Sequence, residues 1–205
     1  MTGNTNTERV PYGLAVHDHE EENAVLEVIR NHKTIMGEKV QQFENEIAVL
    51  FGKKFGVMVN SGSSANLLTY EILKIPENSE VITPILTFAT TLSPIIKNRL
   101  LPVFVDVEPE TYIVNIDQIE GAITKKTKAL MIPSLLGNVP DLVRLRKLAD
   151  NNNLIFIEDS ADTLGATFDG KPTGVFSDFS TTRRTFYKLK ISLIPFIFYY
   201  IFLTS

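Results

Sequence analysis

The sequence predicts an α/β fold, a mainly parallel sheet in a three-layer arrangement with helices on both faces. Three observations predict it. Short apolar runs alternate with amphipathic segments from about residue 19 to residue 181, the spacing of strand–helix units. Those runs are continuously apolar (Ala129-Leu130-Met131-Ile132, Leu154-Ile155-Phe156-Ile157), as strands covered on both faces must be, whereas one-sided strands alternate. The composition, 44% hydrophobic and 21% charged, is that of a packed domain and excludes disordered or fibrous chains.

The elements follow in order. Residues 19–31 read as a helix with Ala24, Val25, Val28 and Ile29 on one face, and residues 37–51 as a second with Val40, Phe43, Ile47 and Leu50 at helical spacing. A strand at 56–59 runs into the turn Asn60-Ser61-Gly62 and a helix at 63–73. A second strand at 80–83 leads through a Pro84 loop and Phe88 into a helix ending near residue 98. Further strands are expected at 102–107, 128–132 and 154–158, separated by helices at 117–123 and 141–151, with a sixth strand at 175–181. No internal repeat is visible.

Charge and composition bound the function. The net charge of −4 excludes a basic nucleic-acid footprint. Cysteine is absent, which removes disulfides, thiolate zinc sites and a cysteine nucleophile. Residues 1–10 lack the apolar stretch of a secretory signal, so a cytoplasmic chain is expected. A break falls near residue 180: all 24 acids lie at or before Asp178, whereas Arg183, Arg184, Lys188 and Lys190 follow it. The last 20 residues also hold seven aromatics, and 191–203 is apolar apart from Ser192 and Pro195. As a helix that stretch would reach about 20 Å, short of a ~30 Å hydrocarbon core, so a membrane partner is not expected. The division expected is therefore residues 1–182 as a partial domain and 183–205 as an aberrant apolar tail from a shifted frame or truncated gene. A buried C-terminal strand or helix is the alternative for the tail, and a non-catalytic, membrane-tethered α/β protein is the alternative for the whole.

Ligands of such sheets bind outside the carboxyl ends of the strands, which here means 60–64, 83–90, 133–138 and 159–162. At the first, Gly62, Ser63 and Ser64 open a helix, whose free N–H groups and hydroxyls suit a phosphate. No lysine follows the glycine and no G-x-G-x-x-G spacing occurs, which disfavours nucleoside triphosphates and dinucleotides. The plain alternative is that Ser63 or Ser64 caps the helix. At the last, Asp159 and Asp162 follow a buried strand, a costly place for carboxylates unless they are paired. They could bind a metal, pair with a protonated ring nitrogen of a cofactor, or serve as a helix cap and a solvated acid. Phe88 is a stacking platform or a core residue. His17 and His19 lack a third ligand and read as surface residues, so no metal site is assigned, and a metal-dependent hydrolase built on Asp159 and Asp162 is set aside for want of histidines at the strand ends. Lys125, Lys126 and Lys128 read as a solvated loop.

Four stretches together resemble one family: Asn60-Ser61-Gly62-Ser63-Ser64-Ala65-Asn66-Leu67-Leu68, the segment 83–94 opening Thr83-Pro84, Pro102-Val103-Phe104-Val105-Asp106, and Glu158-Asp159-Ser160-Ala161-Asp162-Thr163-Leu164-Gly165-Ala166. They are similar in order and spacing to the pyridoxal-phosphate (PLP) sugar aminotransferases and dehydratases of the DegT/DnrJ/EryC1/StrS type, fold type I, over residues 10 to 180. Leu136-Gly137-Asn138 and the Asp159–Gly165 stretch look like the 3-dehydratase branch, which removes the C3 hydroxyl of nucleotide-linked 4-keto-6-deoxyhexoses on the way to surface-polysaccharide sugars. The resemblance implies PLP or pyridoxamine phosphate as cofactor and a nucleotide-sugar substrate, with a glutamate-dependent aminotransferase as the alternative activity. It further implies that Gly62, Ser63 and Ser64 hold the cofactor phosphate, Phe88 stacks on the ring, Asp159 pairs with the ring nitrogen and Asp162 lies near the ring 3-hydroxyl. The family's sites lie at a homodimer interface.

The chain also departs from the pattern. After Ser177-Asp178-Phe179-Ser180-Thr181 the family places a lysine, or in the dehydratase branch a histidine that serves as base. Counting from Asp178, Lys188 falls there; counting after an Arg-Arg insertion, Lys190 does, and neither has the surrounding glycines. Family members run to about twice this length, adding a last sheet strand and a small C-terminal domain. The expectation is an incomplete large PLP domain that is inactive and poorly stable alone.

Overall fold

A computed structural model describes residues 18–183 and the backbone of 199–203. The described residues fall into two units, one within residues 18–34 and the other within 35–183 with 199–203. The described part of the first is helix α1, His19–Arg30. It starts where the sequence dictates: Asp18 Oδ1 accepts from the Glu20 N–H, and Glu21 reaches back to the Asp18 N–H at 2.9 Å, a capping box. Glu20, Glu21 and Glu22 in the first turn and Arg30 in the last suit the helix dipole.

The second unit runs α2 (Glu38–Leu50), β1 (Phe55–Val59), α3 (Gly62–Leu73), β2 (Glu80–Pro84), α4 (Ala89–Lys97), β3 (Leu101–Val105), α5 (Ile116–Ala122), β4 (Thr127–Pro133), α6 (Leu142–Asn152), β5 (Ile155–Asp159), the short hairpin β6 (Thr167–Phe168) and β7 (Lys171–Pro172), β8 (Phe179–Arg183) and β9 (Tyr199–Leu203). Among the described residues the main sheet has the order β1-β9-β8-β5-β4-β2-β3. Strands β8, β5, β4, β2 and β3 pair in parallel, and β9 runs antiparallel to both β1 and β8.

The continuous apolar runs are explained by two cores, one on each face. On one, Phe156, Leu130, Ile132 and Ile82 meet Ile119 of α5 and Leu142, Leu145 and Ala149 of α6. On the other, Ile157, Met131, Ala129 and Val81 meet Tyr70 of α3 and Ile95 of α4. Neighbouring residues of β4 and β5 thus enter opposite cores, each large side chain contributing about 1.5–3 kcal/mol. The expected three-layer α/β architecture is present.

Three boundaries differ from expectation. Residues Thr173–Phe176 form a 3-10 turn, and the strand expected from 175 begins only at Phe179. Gly174 causes part of this: it sits so close to α2 that a Cβ there would lie 2.3 Å from the Phe51 carbonyl oxygen. Asp178 completes it by turning its carboxylate to the Phe156 N–H at 2.7 Å and the Arg146 guanidinium at 3.0 Å. Strand β3 stops at Val105 because the Asp106 N–H is taken by the Gln118 side chain. Finally, a last sheet strand was expected to be missing, yet residues 199–203 form one, in register with Phe55–Val59 on one side and Phe179–Arg183 on the other. An uninterrupted apolar run gives no period-2 signal, so the tail showed no strand pattern.

Candidate functional site

The carboxyl ends of β1, β2, β4, β5 and β8 bring together residues far apart in sequence. After β1 the chain passes through Asn60 into α3, and the cap is Ser61: its backbone is extended, and its Oγ accepts the Ser64 N–H at 3.0 Å. The alternative reading, in which Ser63 or Ser64 caps the helix, is therefore corrected to Ser61. The Ser61 hydroxyl also donates to Ser64 Oγ at 2.9 Å. With Ser61 as cap, Gly62 and Ser63 occupy the first helical positions, whose N–H groups have no partner within the helix, and Ser63 is exposed.

One turn further, Asn66 is buried among the sheet ends. Its Nδ2 donates to Asp159 Oδ2 at 3.0 Å and to the Thr90 carbonyl at 3.2 Å, while its Oδ1 accepts the Thr181 hydroxyl at 2.6 Å. The Thr91 hydroxyl, from the first turn of α4, gives Asp159 Oδ2 a second donor at 2.9 Å. The other oxygen, Oδ1, receives one long bond of 3.3 Å from the Ala161 N–H. Asp159 is 7% exposed, and among the described residues no cation pairs with it. Burial raises its pKa, against the lowering effect of the bonds from Asn66, Thr91 and Ala161, and the Asp162 charge raises it further. The Tyr70 hydroxyl, buried on the same face, is pushed above its ordinary range by burial and then by the Asp159 charge.

Phe88 is the residue before α4 and is 70% exposed, so it is not a core residue. Its carbonyl accepts the Thr91 N–H at 2.9 Å, which ties the exposed ring to the helix start that supplies Asp159 with a hydroxyl. Asp162 is placed differently. One of its oxygens lies 3.3 Å from Arg183 at the end of β8 and the other accepts the Leu136 N–H at 3.2 Å, where Leu136 and Gly137 both have positive φ. It bridges the turn after β4 to β8. Lys188 and Lys190 lie outside the described residues. No cluster of three or more histidine, cysteine, aspartate or glutamate residues able to hold a metal occurs among the described residues, nor is any helix there long and apolar enough to cross a membrane.

These features suit a flat, phosphorylated, cationic-ring cofactor. Asp159 keeps spare acceptor capacity at Oδ1 for an N–H cation, and the buried hydroxyls of Thr83, Thr87 and Ser134 at these strand ends have no partner among the described residues.

Sequence reasoning missed Asn66, Thr91 and Thr181, which no local pattern marks. It also missed a second buried group on the opposite face of β5. Glu158 is 0% exposed and accepts from the Ser160 hydroxyl and, at 2.9 Å, from Ser180. Lys53, 6% exposed, donates to the Ser177 carbonyl and to Ser177 Oγ at 3.3 Å, and that Oγ lies 3.4 Å from Glu158.

The model of the DegT/DnrJ/EryC1/StrS aminotransferase family matches residues 16–191. GDP-4-keto-6-deoxy-D-mannose 3-dehydratase of Yersinia pseudotuberculosis is 35% identical over 182 residues, 86% of this chain and 46% of that protein. dTDP-4-dehydro-2,6-dideoxy-D-glucose 3-dehydratase of Saccharopolyspora spinosa is 38% identical over 175 residues, 82% of this chain and 38% of that protein. Among solved structures, E. coli GDP-4-keto-6-deoxy-D-mannose-3-dehydratase with bound hydrated PLP superposes with a TM-score of 0.87 at 30% identity, covering 96% of this chain and 51% of that one. The chain thus spans about half the length, or less, of these relatives.

Proposed function

The chain belongs to the DegT/DnrJ/EryC1/StrS aminotransferase family, and we propose that it forms the cofactor-holding part of a PLP- or pyridoxamine-phosphate-dependent 3-dehydratase acting on nucleotide-linked 4-keto-6-deoxy sugars. The observation that carries the reading is Asp159: a buried carboxylate with two donors on one oxygen, a weakly used second oxygen and no cation partner among the described residues. The names of the similar 3-dehydratases support the reaction and the substrate class.

When bound, the cofactor ring acts as an electron sink for a carbanion. Asp159 holds a proton at the ring nitrogen, and that cation in turn offsets the cost of burying the carboxylate. Asn66 and Thr91 aim it. Gly62, Ser63 and Ser64 would hold the phosphate at the mouth of α3, the exposed Phe88 ring would stack on the cofactor ring, and Asp162, which accepts the Leu136 N–H, would serve the 3-hydroxyl side. Lys188, or Lys190 counted after an Arg-Arg insertion, would take the place of the family's lysine or histidine and exchange a proton with the substrate. The functional unit is a homodimer.

The test is titration of the purified chain with PLP and with pyridoxamine phosphate, followed by absorbance and calorimetry. Binding at micromolar concentration that is lost in Asp159→Ala and weakened in Ser63→Ala is expected. Binding of neither compound overturns the reading. Borohydride trapping with peptide mapping separates the two activities: label on Lys188 favours the aminotransferase, and binding without a labelled lysine favours the dehydratase.

A further inference from the structure

The second buried group, on the face of β5 away from Asp159, has no part in holding a ligand as described above. Burying Glu158 completely is expensive unless its charge is matched and its oxygens are occupied. Both conditions are met: the Ser160, Ser177 and Ser180 hydroxyls surround the carboxylate, and Lys53 reaches it through Ser177. Lys53 comes from the turn that ends α2, where Gly52 has φ +64° and the Lys53 N–H returns to the Ala48 carbonyl. Its amine is held down at about 8 by burial, with Glu158 and Asp178 opposing that shift and Arg146 adding to it.

The two buried groups are joined through the backbone. Ser160 directly follows Asp159, and its N–H donates to the Thr181 carbonyl at 2.7 Å, while its own carbonyl accepts the Thr182 hydroxyl at 2.8 Å. Ser180, bonded to Glu158, directly precedes Thr181, whose hydroxyl holds Asn66, which holds Asp159. Each link from one face of the sheet to the other is thus a single residue step along β5 or β8.

We propose that Glu158 and Lys53 are positioning residues for Asp159: through Ser160, Ser177 and Ser180 they fix the exit of β5 and its alignment with β8, and so the bonds that Asn66 and Thr91 make to the Asp159 carboxylate. The inference deepens the reading of Asp159 as partner of the ring nitrogen and rests on it for its purpose, while its geometry stands without a cofactor. A network that only stabilised the fold would change melting temperature and leave the Asp159 carboxylate undisturbed.

The test follows the Asp159 carboxyl carbon and the Asn66 side-chain amide by NMR through a pH titration of the full chain, in wild type, Glu158→Gln and Lys53→Met. Among the described residues the titratable groups facing Asp159 are Asp162 and Tyr70, and both are kept in every variant. Because the bonds from Asn66 and Thr91 lower the Asp159 pKa, loosening them should move its midpoint upward by about half a pH unit or more and shift the Asn66 amide. Earlier melting with an unmoved midpoint and an unmoved amide overturns the proposal. Should Glu158→Gln fail to fold, Ser180→Ala cuts the same link without leaving a charge unpaired, and the same two outcomes decide. PLP binding on the same samples separates this from the cofactor reading: about 3- to 10-fold weaker binding in the variants, alongside a moved midpoint, supports both. A wild type that binds no PLP while the variants move the midpoint overturns the cofactor reading and leaves positioning standing. Equal PLP affinity in all forms with an unmoved midpoint does the reverse.

Discussion

Glu158 and Asp159 are adjacent carboxylates at the end of one strand, both buried, and their surroundings are opposite. Glu158 has hydroxyl donors on both oxygens and a lysine bridged to it by Ser177. Asp159 has an amide and a hydroxyl on one oxygen, little on the other, and no cation among the described residues. A charge whose partners are all internal is closed to solvent and ligand alike; one left short of a counter-ion is open to a cationic visitor. The strand's two-residue period, which sends successive side chains to opposite faces, separates these roles within one peptide unit.

The contrast can be broken most severely at Glu158. Glu158→Ala strands the Lys53 amine in the core and should cost about 3–5 kcal/mol in urea denaturation. A Lys53→Met, Glu158→Gln double variant should recover much of that. A loss equal to the sum of the single variants would mean the two charges are not coupled.

Next in size is pH. The native Lys53 amine titrates near 8 and the unfolded one at 10.5, so between those values the unfolded chain binds a proton the native one does not. Stability should therefore rise with pH across that window, by an amount on the order of 2–3 kcal/mol. Lys53→Met should flatten the rise, and a wild type whose stability falls from pH 8 to 10 would contradict the assigned burial.

Asp159→Asn sharpens the comparison from the other side. It keeps the shape and removes the charge, so PLP affinity should fall roughly 10- to 100-fold while stability at pH 7 holds or increases. The sign follows from the raised pKa: the wild-type acid favours folding fully below the unfolded value and loses that advantage as pH rises through the native one. Wild-type stability relative to the asparagine variant should accordingly decline with rising pH. The smallest effect is expected at Ser61→Ala, which removes the α3 cap at a cost of about 1 kcal/mol; equal loss from Ser63→Ala would show that the cap had been misassigned.

Much of this was legible in the sequence because the strands are uniformly apolar and the turns carry their own chemistry. The rule that ligands meet the carboxyl ends of strands pointed to the segments holding Gly62, Ser63, Ser64, Phe88, Asp159 and Asp162, and these residues do lie at or after the strand ends as expected. The cap was not legible: three serines flank Gly62, and only the extended backbone of Ser61 decides among them. Asn66 and Thr91 were not legible either, since what makes them matter is Asp159, 93 and 68 residues away. Lys53 carries no mark in the sequence: its neighbour Lys54 is exposed, while Lys53 turns inward to a serine 124 residues on.

The position of β9 has a consequence for how the chain is made. The slot between β1 and β8 is filled by residues 199–203, so β1 leaves the ribosome long before its neighbour exists. At roughly 5–20 residues per second, its inner edge stays unmatched for about seven to thirty seconds. An open edge of that kind is a template for foreign strands, and a nascent chain stalled before residue 199 would present it to every other copy in the cell.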